Sequence, residues 1–90
     1  MTATEIAIEV VGWIGATLIL GAYILVSMGK LDGRSPTFQW MNVFGAIGFT
    51  INSGAHGAIP STVLNIVWAG IGLFTLWQIG KAVRGKPEEA

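Results

Sequence analysis

The sequence contains no cysteine, which excludes a disulfide framework and any thiolate metal site. It holds a single histidine, His56, in a glycine-rich segment where it is expected to be exposed, and a lone imidazole is poor ground for a metal or proton site. Charge is scarce: 11% of residues are Asp, Glu, Lys or Arg, against about 25% in ordinary soluble domains. Five basic and five acidic residues balance to zero net charge, and no basic tract points to nucleic acid. From Ser35 to Gly80 there is no Asp, Glu, Lys or Arg at all. No Ser/His/Asp set, metal-ligand cluster or paired carboxylates therefore lie in the apolar part of the chain. The expectation is no enzyme, with no catalytic residue, no metal and no cofactor.

What is present is apolar. Ninety residues allow one small domain. A membrane-crossing helix needs about 20 residues, so the uncharged stretch suits two crossings and Val10 to Gly29 a third. A soluble helical bundle would show a polar face on each helix, and none of these segments has one. The first run lacks a basic leading segment and an Ala-x-Ala-like cleavage site, so it is read as a span and not as a signal peptide. The expected fold is all-α: a bundle of three transmembrane helices in one membrane domain, 1–90. Helices are placed at about 3–28, 36–53 and 60–83, with 84–90 as a flexible tail. Thr2 and Glu5 are spaced as a capping box. In "GKLDGRSP", Asp32-Gly33 marks a turn, Ser35 an N-cap and Pro36 a first helical position. "SGAHGAIP" divides the second helix from the third. Links this short make sequential helices antiparallel.

All five basic residues, Lys30, Arg34, Lys81, Arg84 and Lys86, fall in the first link or after Gly80. Short basic segments stay in the cytoplasm, which places the N-terminus outside and the C-terminus inside. Trp13 then falls near the outer boundary, and Trp40 and Trp77 near the inner one, as aromatic belts require. Trp68 does not belong to a belt. It lies about 12 Å below Pro60, near the midplane of a core about 30 Å thick. Asn65 shares its face three residues earlier. In the second helix Phe38, Asn42, Gly45, Phe49, Asn52 and His56 recur at helical spacing. By depth Asn52, Phe49, Asn65 and Trp68 gather in the outer half, and Asn42 and Tyr23 in the inner half.

Two readings of these stripes stay open. Amides and small residues can serve only as interhelical glue, and Gly12 with Ala16, or Thr17 with Gly21, fits such packing. Alternatively, polar residues at membrane depth face a wet cavity. An amide offers donors and acceptors and an indole a flat wall, a combination suited to sugars and other small polar solutes. Glu9 is placed at the outer edge of the first helix, solvated or with a role at a vestibule or in proton coupling.

The short first link, the proline opening the third helix and the Asn that follows in "AIPSTVLNIVW" resemble the SemiSWEET half-transporters of the PQ-loop group. The resemblance covers roughly Ser35 to Trp77. It implies that Phe49 and Asn65 line a sugar pocket. The Pro-Gln dipeptide of that group's first helix is absent, and "LILGAYILVS" with Gly21 stands in its place. The segments "LGAYILVSMGKL" and "SPTFQWMNVFGA" also resemble small three-helix bacterial membrane proteins, which implies a bacterial inner membrane. Three helices cannot enclose a polar path, and transporters are commonly paired repeats around a midplane site. The expectation is a parallel homodimer in the lipid bilayer that moves an uncharged polar solute. Asn65, Trp68 and Phe49 would bind it, with Tyr23, Asn42 and Asn52 as gate or pathway. The alternative is a structural or regulatory membrane subunit that transports nothing.

Overall fold

Each helix begins and ends where local chemistry directs. In the computed structural model, which describes residues 1–84, α1 spans Ala3–Ser27, α2 Pro36–Ala55 and α3 Ile59–Arg84. At the start of α1, the Thr2 hydroxyl accepts from the Glu5 amide at 3.1 Å and the Glu5 carboxylate accepts from the Thr2 amide at 2.7 Å. That is the capping box expected from the sequence. At the start of α2 the Ser35 hydroxyl accepts from the Phe38 amide at 3.2 Å, with Pro36 in the first turn. Asp32 bends the preceding link by accepting from the Arg34 amide at 2.9 Å. Gln39 clamps the same link by donating to the Gly33 carbonyl at 2.7 Å. The left-handed residues that follow α1 and α2 are both glycines, Gly29 at φ 76° and Gly57 at φ 74°, where a side chain would be strained.

Four boundaries differ from the expectation: α1 ends at Ser27 and α3 at Arg84, each one residue off, and the other two flank the second link. Helix α2 continues to Ala55 instead of stopping near Ser53, and α3 starts at Ile59, one residue before Pro60. The reason is that the Gly57 turn alone reverses the chain. The His56 amide still donates to the Asn52 carbonyl at 3.1 Å, and the Ala58 amide returns to the Ser53 carbonyl at 2.9 Å. The flexible tail expected at 84–90 lies outside the described residues from position 85 onward.

The helices form a row. Both α1 and α3 pack extensively and antiparallel along α2, and they touch each other only weakly. The α1–α2 seam is built from backbone. A Cβ on Gly15 would lie 2.7 Å from the Gly45 carbonyl oxygen, and one on Gly48 would lie 2.8 Å from that of Val11. Gly12 is crossed by the Asn52 side chain, and Gly45 by Ile19. The small residues that matter are thus Gly12, Gly15, Gly45 and Gly48. Of the sequence-based pairs, Gly12 with Ala16 faces Phe49 and Asn52 of α2, while Thr17 with Gly21 does not describe this seam. Gly21 has only the Met41 methyl near it, at 3.9 Å. The α2–α3 seam uses side chains instead: Val43 sits against Gly72, and the Thr62 hydroxyl lies 3.1 Å from that of Ser53.

Burial is correspondingly thin. The apolar core consists of Ala22, Val43 and Ala46, while Leu, Ile, Val, Phe and Trp side chains on all three helices stand exposed. An apolar surface of this extent needs lipid or further protein over it. Two helices, α1 and α3, are long and apolar enough to cross a membrane. Between them lies α2, which supplies most of the buried residues, Asn42 and Ser53 among them.

Candidate functional site

Three helices in a row leave a groove along one side, with α2 as its floor and α1 and α3 as its walls. Near the Gly57 turn this groove has a volume of ≈ 580 Å³ and is open along one side. Its floor is Phe49, Asn52, Ser53 and His56; its walls include Ile19 from α1 and Ser61, Leu64, Asn65 and Trp68 from α3. Of the residues singled out from sequence, Phe49, Asn52, Asn65 and Trp68 therefore meet in one place. Helical spacing explains the meeting. Phe49, Asn52 and His56 share one side of α2, and Ser61, Asn65 and Trp68 share one side of α3. Antiparallel pairing about the Gly57 turn then sets the two stripes at the same level.

The polar groups differ in how far their hydrogen bonds are already committed. Asn52 donates from Nδ2 to the Ile8 carbonyl across the α1–α2 seam at 2.9 Å, so its donor is committed to holding helices together. Asn65 donates from Nδ2 to the Ser61 carbonyl one turn back, also at 2.9 Å. That bond fixes the amide plane and turns its acceptor oxygen away from the α3 backbone. The indole of Trp68 is 49% exposed, and its N–H has no protein partner among the described residues. Ser53 donates to the Phe49 carbonyl at 2.6 Å, and Thr62 shares its proton between Ser53 Oγ and the Ala58 carbonyl, at 3.1 and 2.8 Å. The groove thus offers an amide oxygen, an indole face with its N–H, and apolar walls.

Tyr23 and Asn42 do not line this groove. Asn42 is buried on α2, with 7% of its surface exposed, and Tyr23 is 67% exposed on α1. Helical spacing puts Asn42 on the side of α2 that carries Phe49, and Tyr23 on the side of α1 that carries Ala16. Both lie toward the first link, below the groove and apart from it.

Two residues gain importance that sequence reasoning gave them only singly. His56 caps α2; its Nδ1 lies 2.8 Å from the Asn52 carbonyl oxygen and its Nε2 3.5 Å from Glu9 Oε2. The side chains are 55% and 43% exposed, so the pair stands at the rim. The signal for the pairing was the shared outer level of Glu9 and His56; what was missing was which side of α1 meets α2. Ser53 and Ile19 were not singled out at all, since a serine among glycines and an isoleucine among isoleucines carry no mark in the sequence. On the far side of the Asn52 amide, Glu9, Gly12, Trp13 and Ala16 border a smaller cleft of ≈ 260 Å³ that shares Phe49 and Asn52 with the groove.

No curated protein and no solved structure matches the chain, and nothing among the matches connects it to the SemiSWEET or PQ-loop proteins. The model of one protein family, an uncharacterised one, matches residues 8–84, and the chain belongs to that family.

Proposed function

We propose that this protein is a small membrane transporter or facilitator for an uncharged polar solute of sugar-like chemistry, working as a parallel homodimer. It spans a bacterial inner membrane, with its N-terminus outside and its C-terminus in the cytoplasm. Asn65, Trp68 and Phe49 bind the solute, and Asn52 stands at the outer end of the path. Asn42 and Tyr23 form its inner end. The observation that carries this reading is the meeting of Phe49, Asn52, Asn65 and Trp68 around one groove of ≈ 580 Å³. With Nδ2 tied to Ser61, Asn65 presents an acceptor to a solute hydroxyl, while the Trp68 ring supplies a stacking wall. Because the groove is open along one side, a second copy facing it completes the enclosure, with the solute on the twofold axis. Exchange between the two faces proceeds by rocking of the two three-helix units about that site.

The test is uptake of labelled neutral sugars and polyols by proteoliposomes. Losing one hydrogen bond worth about 1.4 kcal/mol lowers flux about tenfold, so Asn65→Ala and Trp68→Ala are expected to fall at least that far while assembling normally. Flux equal to that of the native chain in both variants overturns the reading. The cross-seam bond from Asn52 to Ile8 favours a second reading, a structural or regulatory subunit whose amides only join helices. On that reading no solute is taken up and the same substitutions weaken assembly.

A further inference from the structure

We propose that Glu9 and His56 form a proton-binding site at the mouth of the groove, and that its occupancy sets how open that mouth is. Its consequence for transport rests on the groove being the solute path; the proton site itself does not. An imidazole nitrogen 2.8 Å from a carbonyl oxygen must be a donor, because two acceptors repel there. Hydrogen-bond chemistry therefore assigns a proton to Nδ1. In the neutral ring Nε2 is then a bare lone pair, facing Glu9 Oε2 at 3.5 Å. Two acceptors do not stay together. Adding one proton from the solvent to Nε2 turns the contact into an imidazolium–carboxylate pair.

The surrounding charges are few. From α1 and its leading residues, the Met1 ammonium and the Glu5 carboxylate border the same cleft as Glu9 and His56; Glu5 is already engaged by the Thr2 amide at 2.7 Å. Neither α2 nor the outer part of α3 brings another ionisable group, since none of Asp, Glu, Lys or Arg occurs from Ser35 to Gly80. The proton is therefore governed by Glu9 and His56, with Glu5 as the nearest added negative charge.

The site is wired to the groove through Asn52. Its carbonyl holds His56 and its side-chain amide holds the Ile8 carbonyl, next in chain to Glu9. His56 is itself part of the groove lining, with Ser61 on the α3 side of the same groove. With the proton bound, the ring is fastened to the α1 wall and the mouth stays open. With the proton lost, the tie to Glu9 breaks, and the ring, still held at Nδ1 by the Asn52 carbonyl, tilts off the α1 wall toward Ser61 and narrows the entrance.

The chain has no cysteine, so Ser61→Cys reports the mouth alone. In detergent micelles of the full chain, its maleimide reaction rate is divided by that of Ile59→Cys, an exposed position outside the groove, which cancels the thiol's own pH dependence. The ratio is expected to fall about fivefold from pH 5 to pH 8, a coupling typical of linked sites. It should stay within about twofold in the His56→Gln and Glu9→Gln backgrounds, below that range. The same pH dependence in those backgrounds, or a flat ratio in the native one, overturns the proposal. Nitrogen-15 spectra of the single imidazole give an independent reading: a neutral ring protonated on Nε2 also overturns it. Absence of solute uptake with the pH-dependent ratio intact would remove the transport reading and leave the proton site standing.

Discussion

The α1–α2 seam yields a prediction whose sign changes with position. Replacing Gly15 by Ala puts a methyl 2.7 Å from the Gly45 carbonyl oxygen, where an ordinary contact needs about 3.5 Å. Both partners are backbone, so neither can step aside, and the helices must part by about 0.8 Å at that level. A gap of that size forfeits a quarter to a half of the local dispersion energy, and overpacking of this kind costs about 1–3 kcal/mol. Against this stands the gain of about 1 kcal/mol when Ala replaces Gly inside a helix. The net expectation for Gly15→Ala is a loss of up to about 2 kcal/mol. Gly70 provides the opposite case: nothing lies within 4 Å of a Cβ built there, so Gly70→Ala is expected to gain up to about 1 kcal/mol. Thermal unfolding in detergent, followed by the fluorescence of the four tryptophans, reads both, since 1 kcal/mol moves Tm by about 4–8 °C in a chain of this size. A Gly15→Ala protein that melts as high as Gly70→Ala would refute the close backbone approach.

Two further substitutions probe the polar seam and the turn. Asn52→Ala removes the bond to the Ile8 carbonyl and is expected to cost about 0.6–2 kcal/mol in the same unfolding assay; no change in Tm would mean the amide does not join the helices. Gly57→Ala places a side chain at φ 74°, at a cost of about 1–2 kcal/mol, and a Tm at or above that of the native protein would show that the turn has another geometry.

Much of the fold was legible because its signals are local. The Thr2–Glu5 box, the Ser35 cap and the Asp32 turn each act within a few residues, so the sequence names them directly. The absence of charge from Ser35 to Gly80 likewise separates apolar helices from polar links without reference to any partner. What could not be read was which residues of one helix touch which of the next. Glycines at spacings of three and of four both make a flat strip on a helix, and only the partner decides between them. Here Gly45 and Gly48 on α2 select Gly15 on α1, and Asn52 selects Gly12. The row arrangement was equally hidden, because short links fix antiparallel order but not whether α1 and α3 close on each other. That choice decides the site. Had α1 met α3, Asn65 and Trp68 would have been packed against it. Because α1 and α3 touch only weakly, the stripes read from spacing border an open groove, and Asn65 keeps an acceptor oxygen that no backbone group in its own helix takes.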